Sequence, residues 1–97
     1  MTATKEQPQS MWRVPDSGLM PEQVDCYDDP LLFSMLEKKT GLRYMRTMPH
    51  GHAASIGYSL FYSEQDALRM QIDNIESFIR DRERKLAACR RRLAELT

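Results

Sequence analysis

His50 and His52 stand one residue apart. Alternate residues of a strand share a face, so the pair has the spacing of two ligands on one metal ion. A tetrahedral site needs three or four ligands, and no cysteine or carboxylate lies between Arg43 and Tyr62 to complete one. No metal is expected there. Cys26 lies beside Asp25 and Asp28, whose negative charge disfavours a thiolate, so it makes a poor nucleophile. Cys89 acts as a small apolar residue in a helical pattern, and a disulfide between two copies of it would be incidental in a reducing compartment. No catalytic motif occurs elsewhere. The chain is not expected to be an enzyme, and it is assigned neither catalytic residues nor a cofactor.

Charge carries more information. Arg80, Arg82, Arg84, Lys85, Arg90, Arg91 and Arg92 crowd one segment against only Asp81 and Glu83. Guanidinium forks suit phosphate or carboxylate recognition, which opens a nucleic-acid reading. Against it, no aromatic residues interleave with the arginines and no groove-reading motif accompanies them, while cations near a helix C-terminus are favoured by the dipole alone. Arg84, Arg90 and Arg91 are therefore expected to meet a protein partner first, with nucleic acid as the alternative. Upstream, Asp16, Glu22, Asp25, Asp28 and Asp29 form an acidic arm without a basic residue among them. That arm could lie against the arginine-rich helix in cis or across a dimer, meet a basic partner, or stay solvated. With fourteen basic and fourteen acidic residues the formal net charge is +0, which removes the general argument for nucleic-acid or membrane-surface binding.

These groups must be held by a small fold. Ninety-seven residues with 41% apolar and 29% charged side chains support one small domain and no large buried cavity. Residues 1–10 lack an apolar pattern and are expected to be a disordered tail ahead of a single domain over 11–97. Pro15, Gly18, Pro21 and Pro30 punctuate a loop-rich arm over 11–29, in which residues 11–14 could add an edge strand. Asp29-Pro30 opens a helix and Thr40-Gly41 closes it, giving a short helix over 30–39 whose stripe of Leu32, Met35 and Leu36 is widened by Leu31 and Phe33. Alternating apolar residues on either side of Met48-Pro49-His50-Gly51 predict a β-hairpin over 42–62 with a type I turn and a left-handed glycine. Two strands are marginal in water, so a helix or further strands must cover them. Trp12, the one tryptophan, must pack on this fold or on a partner. Met45 and Phe61 project from the hairpin face opposite Tyr44 and Tyr58, which makes Trp12, Met45 and Phe61 candidates for a partner surface.

Ser63 followed by Asp66 marks the start of a long helix over 63–96, free of glycine and proline and about 50 Å long. Along it Leu68, Ile72, Ile75, Ile79, Arg82, Leu86, Cys89, Leu93 and Leu96 alternate steps of four and three, the period of a coiled-coil seam. One hairpin and one short helix cannot cover so long a stripe, so the half from Arg82 onward is expected to need another chain. All the apolar seam positions, Leu68, Ile72, Ile75, Ile79, Leu86, Cys89, Leu93 and Leu96, are candidate oligomer contacts. Arg82 interrupts the seam and restricts its register. In a parallel dimer Lys85 would face Arg90 of the partner, and a symmetric antiparallel pairing about Glu83 also meets like charges, so orientation stays open.

The expectation is an α+β protein of short helix, β-hairpin and long amphipathic C-terminal helix, without a membrane-spanning segment or a secretory signal. It is expected in the cytoplasm as a non-enzymatic accessory or inhibitory factor, a homodimer or small homo-oligomer that binds another macromolecule. The alternative is a nucleic-acid-binding dimer.

Overall fold

The computed structural model describes residues 2–97 and has the mixed architecture expected, a short helix, an antiparallel sheet and a long C-terminal helix. Its sheet is larger than the expected hairpin. The arm read as loop supplies two strands, β1 (Gln9–Arg13) and β2 (Glu22–Tyr27), paired antiparallel with Met11 opposite Val24 and Gln9 opposite Cys26. Pro15, Gly18 and Pro21 fall in the connection between them, so these breakers delimit strands that their density had concealed. The expected unordered stretch over 1–10, of which Met1 lies outside the described residues, also gives way. Gln9 and Ser10 belong to β1, and Ala3 is buried, its N–H donating to Asp28 Oδ2 at 3.0 Å while its carbonyl accepts from the Asp28 N–H.

The short helix begins where Asp29 accepts from the Leu31 N–H at 3.0 Å and ends at Gly41, whose φ of +73° suits a residue without a side chain. It runs through Pro30–Leu32, a π-helical turn over Phe33–Glu37, and Lys38–Thr40. That wide turn shifts the phase of the expected stripe. Leu32 is buried and Leu36 half-buried, whereas Leu31, Phe33 and Met35 point to solvent. Glu37 Oε1 accepts from the Tyr44 N–H at 3.1 Å and ties the helix to the sheet.

β3 (Tyr44–Thr47) and β4 (Ala53–Ser55) form the expected hairpin, Met45 opposite Ala54. Its bend differs from the expected type I turn: the Met48–Pro49 peptide is cis, although Gly51 is left-handed as anticipated. The second strand stops at Ser55, where the Ser59 N–H donates back to the Ser55 carbonyl, and β5 (Leu60–Phe61) then pairs with β1. The order is β4-β3-β2-β1-β5. Five flat strands would be about 19 Å across, too far for a link containing a hydrogen-bonded turn. The sheet therefore rolls until Ile56 bridges Leu60. Inside the roll Met11, Cys26, Met45 and Leu60 are fully inaccessible, with Val24, Ala54 and Ile56 packed on them. The cover that the hairpin lacked thus comes from this chain's own strands.

The long helix spans Glu64–Leu96, its start capped by Ser63 Oγ, which accepts from the Asp66 N–H at 3.2 Å. It docks through its first turns, where Ala67 and Gln71 are buried, and then leaves the body. The radius of gyration is 18.3 Å, against about 13 Å for a compact domain of this length. Most of the helix is therefore an arm.

Candidate association surface

At 100° per residue, Ala67, Gln71, Asn74 and Phe78 lie along one line of the long helix, while Leu68, Ile72, Ile75 and Ile79 lie on the neighbouring line. The body uses the first line. Gln71 Nε2 donates to the carbonyls of Pro15 (3.2 Å) and Leu19, and the 15–19 connection thereby lies against Asn74, Ile75 and Phe78. The second line stays open. Leu68 is half-buried and Ile75 is partly shielded, but Ile72 is 52% exposed, Ile79 49%, Leu86 50% and Leu93 62%. Cys89 and Leu96 are exposed as well. Besides the half from Arg82 onward, docking on the adjacent line leaves Ile72 and Ile79 of the proximal half exposed.

Arg82 does not thrust its charge along this seam. Its guanidinium carbon lies 4.9 Å from the centroid of the Phe78 ring, on the flank, so its aliphatic stem is what the seam presents. Around it Asp81 is held below the usual carboxylate range by a hydrogen bond from Lys85, at 2.9 Å, and by the Lys85 charge. Arg84 reaches the same carboxylate at 3.9 Å, and Arg92 pairs with Glu95 at 3.1 Å. Among the described residues Arg90 and Arg91 make no ion pair. At such exposure these pairs contribute little to stability and leave the arginines ready for other anions.

The acidic arm does not meet this cluster within the chain. Glu22 pairs with Arg13 at 2.6 Å and Asp28 with Arg43 at 3.0 Å. Asp29 pairs with Arg46, whose hydrogen bond, with that of the Leu31 N–H, keeps its carboxyl below the usual range. Of the partner-surface candidates, Met45 is corrected outright, since it lies inside the roll with no accessible surface. Alternation had shown two faces without showing that the sheet curls around one of them. Trp12 and Phe61 sit directly opposite each other on β1 and β5, half-buried on the outer face.

His50 and His52 have ring centroids 5.8 Å apart on the rim of an open groove of about 690 Å³ that also includes Arg13, Glu22, Val24 and Thr47. No group of three or more metal-ligating side chains occurs among the described residues. Cys26 is pushed up to about 11 by burial and then by the Asp25 charge, which keeps it a thiol. No helix among the described residues is long and apolar enough to cross a membrane. No family model, curated protein or solved structure matches the chain.

Sequence reasoning missed Gln71, which fastens the helix to the body. Its only signal was a polar residue beside the apolar seam. The exposed Tyr58 and Tyr62 ahead of the helix, and Leu19 and Met20 in the β1–β2 connection, were equally invisible because exposure depends on how the sheet rolls.

Proposed function

We propose that this protein is a non-enzymatic interaction factor that self-associates through its long helix and presents arginines and an outer sheet face to another macromolecule. The observation that carries the reading is the bare aliphatic seam of Ile72, Ile79, Leu86 and Leu93 on a helix that projects from the body. Burying such half-exposed side chains is worth about 1 kcal/mol each, and a second copy, whose seam has the same period, gains this along the whole stripe. Arg84, Arg90 and Arg91, with Trp12 and Phe61, form the surface left for a protein target. Two unpaired cysteines suit the reducing cytoplasm.

Light scattering at micromolar concentration is expected to give a multiple of 11.3 kDa. Leu86→Asp with Leu93→Asp lowers it to the single-chain mass while the circular dichroism of the sheet persists, because unpaired charge on a buried seam is costly. A single-chain mass for the unaltered protein refutes the reading. The free guanidinium groups of Arg90 and Arg91 support nucleic-acid binding as the second reading, which salt dependence separates from the first.

A further inference from the structure

Resting on that self-association, we infer that two copies pair their long helices antiparallel, so that the arginine-rich half of each lies along the proximal half and body of the other. Three observations favour this over a parallel pair. The first is Arg82. In-register parallel helices place the two Arg82 residues opposite each other, whereas antiparallel layers place each against an isoleucine, with its guanidinium already turned onto Phe78.

The second is the distribution of charge. Parallel pairing sets the two basic segments from Arg80 to Arg92 side by side, with Lys85 beside Arg90 of the other copy. Antiparallel pairing with complete overlap sets each against residues 69–81, where Asp73, Glu76 and Asp81 outnumber Arg69 and Arg80. Glu76 then approaches Glu83 on one flank. On the same flank Arg69 approaches Arg90. A one-heptad offset exchanges these contacts for Arg69 beside Glu83 and for Glu76 beside Glu76 of the other copy, and both antiparallel alignments keep the basic segments apart.

The third is the position of the body. It sits on the Gln71–Phe78 flank, where Asp16 and Gly18 border a cavity of about 160 Å³ against Gln71, Asn74 and Ile75. A parallel partner would bring Glu76 and Glu83 to that flank, against Asp16. An antiparallel partner brings Lys85 or Arg92. Asp16 is then the residue of the acidic arm that meets the arginine-rich helix, and it does so across the dimer.

Cys89 lies on the seam and reports orientation, since Cys26 is buried. Under mild oxidation the unaltered dimer is expected to give no Cys89–Cys89 disulfide. Either Ile72→Cys or Gln65→Cys, exposed positions opposite Cys89 in the complete-overlap and offset alignments, is expected to give a covalent dimer joined to Cys89 on peptide mapping. Light scattering of each sample runs alongside. A dimer linked Cys89 to Cys89, or a dimer in which neither variant cross-links, overturns the antiparallel assignment and leaves self-association standing. A single-chain mass removes both.

Discussion

Met45 and Phe61 were paired by alternation, and the structure separates them: Met45 fills the roll while Phe61 keeps part of its surface. Removing a buried methionine side chain leaves a cavity, so Met45→Ala is expected to lower unfolding free energy by about 2–4 kcal/mol in urea titration. Phe61→Ala should cost less, because its ring is only partly enclosed. Cys26 makes a pH-dependent contribution whose sign follows from its raised value of about 11 against 9.0. The folded state favours the neutral thiol, so the contribution is present below about pH 9 and is lost as pH rises towards 11. Stability should fall over that window, less so in Cys26→Ala, and thiol reagents at pH 8 should label Cys89 alone until the protein unfolds. Asp29 acts in the opposite direction. Its lowered value gives a contribution present above 3.8 and lost as pH falls below it, and Asp29→Asn should remove that part of the acid limb.

The element whose attachment matters most is the long helix, which the body grips over only its first turns. Gln71 is buried and donates to two carbonyls, so Gln71→Ala leaves Pro15 and Leu19 without partners, at about 1–3 kcal/mol. Faster amide exchange over residues 15–20 should accompany that loss, with little change beyond Arg82. Ala67 has no accessible surface, and Ala67→Leu is expected to destabilise by about 1–3 kcal/mol through overpacking. Unchanged stability in both variants would mean that the body does not grip the helix along the Ala67–Gln71 line.

Across the whole molecule, length and charge are the informative properties. The chain extends 64 Å, of which the 33-residue helix accounts for about 50 Å. An antiparallel pair with complete overlap carries a body at each end and should reach about 80 Å in small-angle scattering, whereas a parallel pair stays near the single-chain length. Nucleic acid is expected to bind weakly and without sequence preference, the complex vanishing near physiological ionic strength as phosphate contacts exchange for counterions. Changing Arg84, Arg90 and Arg91 together to Glu should impair association with a protein target more than any contact with nucleic acid. A tight, salt-steep complex with a defined duplex, abolished by that triple change, would reverse the order.

The elements that could be read in the sequence are those specified by neighbours along the chain. Asp29-Pro30 and Thr40-Gly41 bound the short helix, Ser63 opens the long one, and the four-three repeat runs through it without a skip, because caps and helical periodicity act over a few residues. The β3–β4 hairpin is legible for the same reason, as two alternating runs joined by a tight bend. What tertiary structure alone decided involves partners distant in sequence. β1 and β2 read as loop because their proline and glycine neighbours outweighed two short alternations, and they became strands only by pairing with each other, with β3 and with β5. The curl of the sheet chose which apolar face became interior. Ala67 and Gln71 chose which line of the helix is spent on the body, and the repeated aliphatic line beside it was left open, since a seam periodic in one chain is satisfied only by a second surface of the same period.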